Sequence, residues 1–162
     1  MIKVGMGVDV HAFEEGRKCI LGGVHIPHPR GLKGHSDADA LTHAIMDALL
    51  GAVGERDIGH FFPDTDAKWK DADSLKMLSL VEQVLAKKKA KIGNIDATLI
   101  AQEPKLAPHI ETMTKNLSGT LKIQPSQIAI DRRAPSPKSS SDPSKFSRKD
   151  PPWTTDDWAH RA

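Results

Sequence analysis

The chain has few of the residues that mark secreted, membrane-spanning or nucleic-acid-binding proteins. Cys19 is the single cysteine in 162 residues, which excludes an internal disulfide framework and a zinc site built from several thiolates. No apolar run approaches the ~20 residues that span a bilayer, and no signal-like or transit-like segment follows Met1. We therefore expect a protein that works in the reducing cytoplasm, without a membrane partner.

Surplus charge and aromatic side chains are scarce as well. The formal net charge is +2, and aromatic residues make up 4% of the chain. Residues 1–130 hold 16 Lys/Arg and 16 Asp/Glu, so the whole positive surplus lies in residues 131–162. The sequence therefore has no basic stripe interleaved with aromatic residues, and nucleic acid is not an expected partner.

Residues 1–130 alternate between strand-like and helix-like patterns, which is typical of an α/β domain. Apolar residues alternate over 2–10, and two short apolar runs flank Gly22-Gly23, which predicts a strand followed by a hairpin. A helix is predicted to begin after Ser36, as its N-cap, and to end near Gly51 and Gly54. The remaining predicted elements are helices over 74–91 and 108–121 and strands over 95–100 and from 128 onward.

The composition changes abruptly after residue 130. Residues 131–162 contain five prolines and six serines, and Phe146, Trp153 and Trp158 are their only large apolar side chains. Prolines at this density prevent a continuous helix or a central strand. We predict two regions, a folded domain over 1–130 and an irregular tail over 131–162.

Two pairs of side chains are candidates for metal chemistry. Asp9 and His11 lie two residues apart in a predicted strand, so they face the same side. They would supply two of the three protein ligands of a catalytic zinc site, although such pairs more often only hydrogen-bond each other. His43 and Asp47 lie four residues apart on a helix and share a face. Either Asp47 orients His43 as a metal ligand, or the two form a surface pair.

Three polar segments have both a functional and a structural interpretation. His35 precedes a predicted helix, whose N-terminus favours anions, so phosphate is a candidate ligand. Residues 57–66 form either a rigid ligand-binding loop or an ordinary cluster of turns. Residues 101–107 leave a strand and enter a helix, and this junction either offers free backbone N–H groups to a ligand or only connects the two elements.

Seven motifs, taken together, resemble a known family. They are Gly-Val-Asp-Val-His-Ala-Phe (7–13), Leu-Gly-Gly-Val-His-Ile-Pro (21–27), Gly-His-Ser-Asp-Ala-Asp (34–39), Asp-Ala-Leu-Leu-Gly-Ala (47–52), Asp-Ile-Gly-His-Phe-Phe-Pro-Asp-Thr-Asp (57–66), Lys-Asp-Ala-Asp-Ser (70–74) and Ile-Ala-Gln-Glu-Pro-Lys (100–105). In this order they resemble the 2-C-methyl-D-erythritol 2,4-cyclodiphosphate synthase family of the non-mevalonate isoprenoid pathway. The resemblance covers about residues 1–130.

The resemblance implies a fold, an assembly and a reaction. The expected subunit is α/β, or α+β-like, with helices on one face of a mixed β-sheet, and three subunits form a homotrimer with active sites between neighbours. The expected reaction is that of a lyase acting on a small cytidine diphosphate substrate. The 2-phosphate of 4-diphosphocytidyl-2-C-methyl-D-erythritol 2-phosphate attacks the β-phosphorus, CMP leaves, and a cyclic diphosphate forms.

The resemblance also implies roles for particular residues. Asp9, His11 and His43 match the zinc ligands. His35, the expected catalytic residue, and Ser36 match the loop that contacts substrate phosphate near the zinc. Residues 57–59 and 62–66 match the methylerythritol pocket, and 101–107 match the cytosine-binding segment. Besides Asp9, His11, His35 and Ser36, the implied substrate-binding residues are Val10, Asp57, Ile58, Gly59, Phe62, Pro63, Asp64, Thr65, Asp66, Ala101, Gln102, Glu103, Pro104, Lys105, Leu106 and Ala107.

The chain departs from the family pattern after residue 130. Where the family has a Thr-Thr-Thr-Glu segment, this chain reads Asp-Arg-Arg-Ala-Pro-Ser-Pro over 131–137, so the glutamate that helps to hold Mg²⁺ or Mn²⁺ is missing. An out-of-frame 3′ end of the gene and a natural divergent tail would both produce this pattern. Two functions follow from the resemblance: a synthase, or a zinc-binding trimer of the same fold with impaired turnover.

Overall fold

The computed structural model of the chain describes residues 1–133, which form six short strands and four helices. The strands are β1 (Phe13–Glu15), β2 (Cys19–Leu21), β3 (Val24–Ile26), β4 (Arg30–Leu32), β5 (Ile95–Ile100) and β6 (Ile128–Arg133), and the helices are α1 (Ala40–Ala52), α2 (Ile58–Phe61), α3 (Ser74–Lys87) and α4 (Ile110–Leu121). None of the helices described here combines the length and the apolar character that a membrane crossing requires.

The strands pair in both directions, which confirms an α+β fold with mixed small sheets. β1 pairs with β4 and β2 with β3, both antiparallel, whereas β5 and β6 are parallel over six residues. The predicted hairpin is confirmed, because Gly22 and Gly23 connect β2 to β3 with φ of +55° and +67°. Two successive left-handed residues match the twist of a tight hairpin, and glycine adopts them without steric cost.

Helices α1 and α4 pack on the β5–β6 pair, and α3 packs against both helices. Leu50, Leu78, Val81, Met113 and Leu117 are fully buried where these helices meet. Each such side chain contributes roughly 1.5–3 kcal/mol relative to an exposed position. On β5 the side chains alternate between half-buried and exposed, so its second face is not covered within residues 1–133.

The predicted strand over residues 2–10 is wrong, although the alternation that suggested it is real. Residues 2–10 form no strand and pair with none in the described part of the chain. They lie instead against α1, with glycines toward the helix: a Cβ atom on Gly7 would be 2.0 Å from the Ala44 carbonyl oxygen. This close approach is open only to glycine. The side chains that point the other way are Ile2, Val4, Met6, Val8 and Val10, all largely exposed.

Asp39, and not Ser36, is the N-cap of α1. The fully buried Asp39 carboxylate accepts hydrogen bonds from the Thr42 N–H at 3.0 Å and from the N–H groups of Gly22 and Gly23 at 2.9 and 2.7 Å. Ser36 cannot begin the helix because Ala38, two residues later, has a left-handed φ of 57°. The carboxylate therefore joins the β2–β3 hairpin to the helix that carries His43.

The remaining boundaries differ from the predictions by a few residues. Helix α3 ends at Lys87 rather than 91, and α4 begins at Ile110 after a 3-10 turn over Ala107–His109. Strand β6 continues to Arg133, so the first three residues of the predicted irregular tail are extended and paired. The rest of that tail, residues 134–162, lies outside the described residues.

Candidate functional site

Asp9, His11 and His43 converge on one point beside the N-terminal part of α1. Asp9 Oδ2 lies 2.8 Å from His11 Nε2 and 3.0 Å from His43 Nδ1. One donor atom from each of the three residues falls within 4.8 Å of the others. Asp9 and His11 face the same side of the extended N-terminal run, as their spacing predicted. His43 is the fourth residue of α1, so it lies near the N-terminus of that helix.

The electrostatics of this triad favour a charged carboxylate between imidazoles. Partial burial raises the pKa of Asp9, but hydrogen bonds from His11 and His43 outweigh it and hold that pKa below its ordinary value. The hydrogen bond to Asp9 in turn raises the pKa of His11. Two imidazole nitrogens and one carboxylate oxygen are the donor set of a three-ligand divalent metal site with an open position.

In each imidazole, the ring nitrogen that does not face Asp9 contacts an oxygen atom. His11 Nδ1 lies 2.5 Å from the Lys33 carbonyl, and His43 Nε2 lies 2.9 Å from Ser74 Oγ. A carbonyl only accepts, so His11 Nδ1 carries a proton and Nε2 is the nitrogen left to bind a metal. The residues present therefore fit a divalent ion, which would take the place of the protons between the imidazoles and Asp9.

Asp47 does not orient His43, and neither of the two roles considered for it describes the structure. Its carboxylate accepts a hydrogen bond from the Ile58 N–H at 2.8 Å, at the start of α2. His43 contacts Asp9, Ser36 and Ser74 instead. Asp47 therefore supports the 57–66 loop from α1, while His43 turns toward the N-terminal run.

The loop over residues 34–39 places His35 and Ser36 beside the triad. Ser36 is buried, with Oγ 3.2 Å from His43 Nε2, and its carbonyl accepts a hydrogen bond from the Arg17 guanidinium at 2.6 Å. His35 is half-buried, and its Nε2 lies 3.3 Å from the Asp66 carbonyl oxygen. Asp66, at the end of the 57–66 loop, therefore contacts His35, whose neighbour Ser36 contacts His43 of the triad.

The 57–66 loop is organised by its own polar residues. Asp57 caps α2 by accepting a hydrogen bond from the His60 N–H at 3.1 Å, and Asp66 accepts one from the Lys68 N–H at 2.9 Å. Phe62 is buried and packs edge-to-face on Trp69, with ring centroids 4.8 Å apart. The remaining members of the predicted pocket in this loop are Ile58, Gly59, Pro63, Asp64 and Thr65, half-buried or exposed.

The 101–107 segment lies at the end of β5, away from the triad. The Ala101 N–H donates to the Arg133 carbonyl at 3.1 Å, and Glu103 forms an ion pair with Arg30 on β4. Leu106 is fully buried, and Pro104 is buried behind a cis peptide bond. Gln102, Lys105 and Ala107 complete the segment. Within residues 1–133, no hydrogen bond joins it to Asp9, His11 or His43.

Sequence reasoning missed two polar residues behind the triad, Asp37 and Ser74. Both belong to the motifs that carry the family resemblance, but neither was predicted to contact the metal ligands. The Ser74 hydroxyl donates to Asp37 Oδ1 at 2.5 Å. The one available signal in the sequence was the polar motif over 70–74, which ends in Ser74 at the start of a predicted helix.

Comparison with known proteins identifies relatives of this chain. The model of the YgbB family matches residues 2–136. A curated relative from Acaryochloris marina, 2-C-methyl-D-erythritol 2,4-cyclodiphosphate synthase, is 57% identical over 129 residues, which cover 80% of either chain. A relative of the same name from Clostridium perfringens is also 57% identical over 129 residues, covering 80% of this chain and 83% of that one.

A solved structure of a protein of that name, in a CDP-bound form, is also similar. It is 36% identical, with a TM-score of 0.74 over 81% of this chain and 87% of the other. The matching family model, the identities above 50% and the shared fold lead to one conclusion. The chain belongs to the YgbB family, the family of the 2-C-methyl-D-erythritol 2,4-cyclodiphosphate synthases that it resembles.

Proposed function

We propose that this chain is a lyase that forms 2-C-methyl-D-erythritol 2,4-cyclodiphosphate and CMP from 4-diphosphocytidyl-2-C-methyl-D-erythritol 2-phosphate. An oxygen of the 2-phosphate bonds to the β-phosphorus, and the bond from that phosphorus to the oxygen bridging to CMP breaks. The electron pair leaves with CMP. The observation that carries this proposal is the convergence of Asp9, His11 and His43 in a chain 57% identical to a named synthase.

The metal ligands are Asp9 Oδ2, His11 Nε2 and His43 Nδ1, and the ion that suits this donor set best is zinc. Zinc held by these three side chains would withdraw negative charge from a phosphoryl oxygen. The Lys33 carbonyl and the Ser74 hydroxyl keep the His11 and His43 rings in place. Phosphoryl transfer depends mainly on such positioning and charge neutralisation, because little acid–base chemistry is needed.

His35 and Ser36 would contact a substrate phosphate, since they adjoin the triad. The 57–66 loop would hold the methylerythritol part, and its contact with His35 supports this arrangement. Residues 101–107 would bind cytosine through backbone groups; CDP bound in the related structure supports a cytidine diphosphate ligand. The Mg²⁺ or Mn²⁺ expected for the family has no matching glutamate over 131–137.

We further propose that three copies of the chain form the working assembly. The apolar row formed by Ile2, Val4, Met6, Val8 and Val10 is 72–95% exposed, and Ile100 on the open face of β5 is 72% exposed. An apolar surface of this kind is typical of an interface rather than of a free monomer. A trimer would also bring the 101–107 segment of one copy toward the triad of another. The single, buried Cys19 suits a cytoplasmic location.

Size-exclusion chromatography with light scattering tests the assembly. We expect three times the chain mass of 17.7 kDa. Val4→Asp places a charge in the apolar row and should yield monomers, because desolvating an unpaired carboxylate is costly. Leu80→Asp is the matched control, since Leu80 is 38% exposed on α3, outside the row, and should leave the trimer intact. A monomeric wild-type chain would contradict the proposal.

Turnover is tested by incubating the whole chain with zinc, magnesium and the cytidylyl substrate, and by measuring CMP and the cyclic diphosphate by mass spectrometry. His43→Ala should lose both zinc and turnover while keeping α1, because alanine is a strong helix former. Full zinc occupancy in that variant would contradict the ligand assignment. Free phosphate in place of the cyclic product would point to a hydrolase instead.

A second candidate function is a zinc-binding trimer of this fold with impaired or no turnover. It is favoured by the sequence over 131–137, which lacks the threonines and the glutamate of the family. Stoichiometric zinc with no CMP release would support it over the synthase. CMP release together with the cyclic product would exclude it.

A further inference from the structure

Behind the metal ligands, three polar side chains form a continuous row from α1 to α3. Ser74 is fully buried at the start of α3, with Oγ 2.9 Å from His43 Nε2 and 2.5 Å from Asp37 Oδ1. Asp37 Oδ2 also accepts the Ser74 backbone N–H at 3.0 Å, and Oδ1 accepts the Asp39 N–H at 3.3 Å. The carboxylate of Asp37 is therefore surrounded by donors.

The direction of each proton in this row follows from its neighbours. An ionised carboxylate only accepts, so the single hydroxyl proton of Ser74 points to Asp37. The Ser74 oxygen is then free only to accept, and the proton between it and His43 belongs to Nε2. Ser36 Oγ, 3.2 Å from the same nitrogen, already accepts the Ala38 N–H and can accept from Nε2 as well. When a divalent ion replaces the proton that Asp9 Oδ2 accepts, His43 Nδ1 has a lone pair left for that ion.

We propose that Asp37 and Ser74 are positioning residues that hold His43 in the tautomer and orientation needed to bind the metal. The inference rests on the proposed function, because it assumes that His43 is a ligand. Oriented hydrogen-bond partners of this kind typically change metal affinity by about 10–100-fold. In this chain the Asp37 carboxylate does not contact the His43 ring directly, because the Ser74 hydroxyl lies between them.

Asp37 also ties the metal site to the loop that carries His35. Its N–H donates to the Ala72 carbonyl at 3.1 Å, and the Asp71 N–H donates to the His35 carbonyl at 2.8 Å. The 34–39 loop and the turn before α3 are thus joined on both sides of Asp37. Asp37 therefore contacts the partner of a metal ligand through its carboxylate, and its backbone helps to join the proposed phosphate-binding loop to the turn before α3.

Zinc affinity, measured by competition with a chromogenic chelator on the whole chain, tests the proposal. Ser74→Ala removes the nearer of the two oxygen atoms that can accept from His43 Nε2, and it should weaken zinc binding about 10–100-fold. Asp37→Asn introduces an amide that can donate to Ser74, so the serine proton can turn to His43, and zinc should bind more weakly as well. Ser79→Ala is the matched control, because Ser79 lies on the same helix and donates only to the Lys76 carbonyl; its affinity should equal that of the wild type.

A spectroscopic measurement separates tautomer control from a general loosening of the structure. Nitrogen-15 NMR of the zinc-bound His43 ring should show a proton on Nε2 in the wild type. Exchange of that proton with solvent should be faster in Ser74→Ala, because only the longer contact to Ser36 Oγ remains. Circular dichroism should show unchanged helix content in each variant.

The outcomes distinguish this inference from the proposed function. If Ser74→Ala and Asp37→Asn both bind zinc like the wild type while His43→Ala binds none, the positioning role is wrong and the metal site stands. If His43→Ala binds zinc fully, the metal site itself is wrong. Weaker zinc binding in both positioning variants, with Ser79→Ala unchanged and Nε2 protonated, supports the proposal.

Discussion

Replacing Gly7 by alanine should weaken metal binding, although Gly7 is not a ligand and lies two residues before Asp9. Gly7 has no left-handed backbone, so alanine is permitted by its φ, and the effect is purely one of space. The new Cβ would lie 2.0 Å from the Ala44 carbonyl oxygen and 2.8 Å from the Ala48 nitrogen, both in the backbone of α1. Neither atom can move without breaking the helix, so the N-terminal run has to move instead.

The size of that movement decides the outcome. A non-bonded carbon–oxygen contact needs more than about 3 Å, so the run must retreat by about 1 Å or more. Asp9 follows Gly7 on the same side of the run and would be carried with it, away from His43. Metal–ligand distances vary by only about 0.2 Å in a good site. We therefore expect zinc affinity to fall at least about tenfold, with a loss of about 1–3 kcal/mol in unfolding free energy from overpacking.

The assay is chelator competition for zinc, together with urea unfolding of the metal-free chain. Gly119→Ala is the control, because a Cβ there meets nothing within 4 Å and the residue lies inside α4. It should leave zinc affinity unchanged and stabilise the fold by about 0.5–1 kcal/mol. Wild-type zinc affinity in Gly7→Ala would refute the claim that glycine contact with α1 sets the position of Asp9.

Two further predictions concern the buried polar groups near the hairpin. Asp39→Ala leaves two hairpin N–H groups and the N-terminus of α1 without their acceptor, and should cost about 3–5 kcal/mol in urea unfolding. Asp73→Ala, which removes the exposed N-cap of α3, should cost only about 1 kcal/mol, and equal losses would contradict the argument. Burial and the nearby Asp39 carboxylate raise the pKa of the fully buried Cys19 thiol, so alkylation at pH 8 should follow the rate of unfolding. Rapid labelling of the native chain would show that Cys19 is accessible.

Several features could be read from the sequence because they depend on neighbours along the chain. The Gly22-Gly23 hairpin follows from the left-handed freedom of glycine, and β5 follows from its β-branched run. The shared side of Asp9 and His11 needs only an extended backbone, which is why it was right although the strand itself was not. The long ordered motifs were sufficient to indicate the family, which the comparisons confirmed.

Other features depend on contacts between residues far apart in sequence, and no local pattern contains them. The N-terminal run packs on α1 instead of pairing with a strand. Asp39, rather than Ser36, caps α1, and its carboxylate is also bound by the N–H groups of Gly22 and Gly23 from the β2–β3 hairpin. Asp47 accepts a hydrogen bond from the Ile58 N–H, while His43 contacts Ser74, 31 residues away in the sequence. Spacing along an extended run or a helix decides which side chains share a face. Only the packing of the hairpin, α1 and α3 decides which of those faces meet, because a hydrogen bond forms wherever folding brings a donor within about 3 Å of an acceptor.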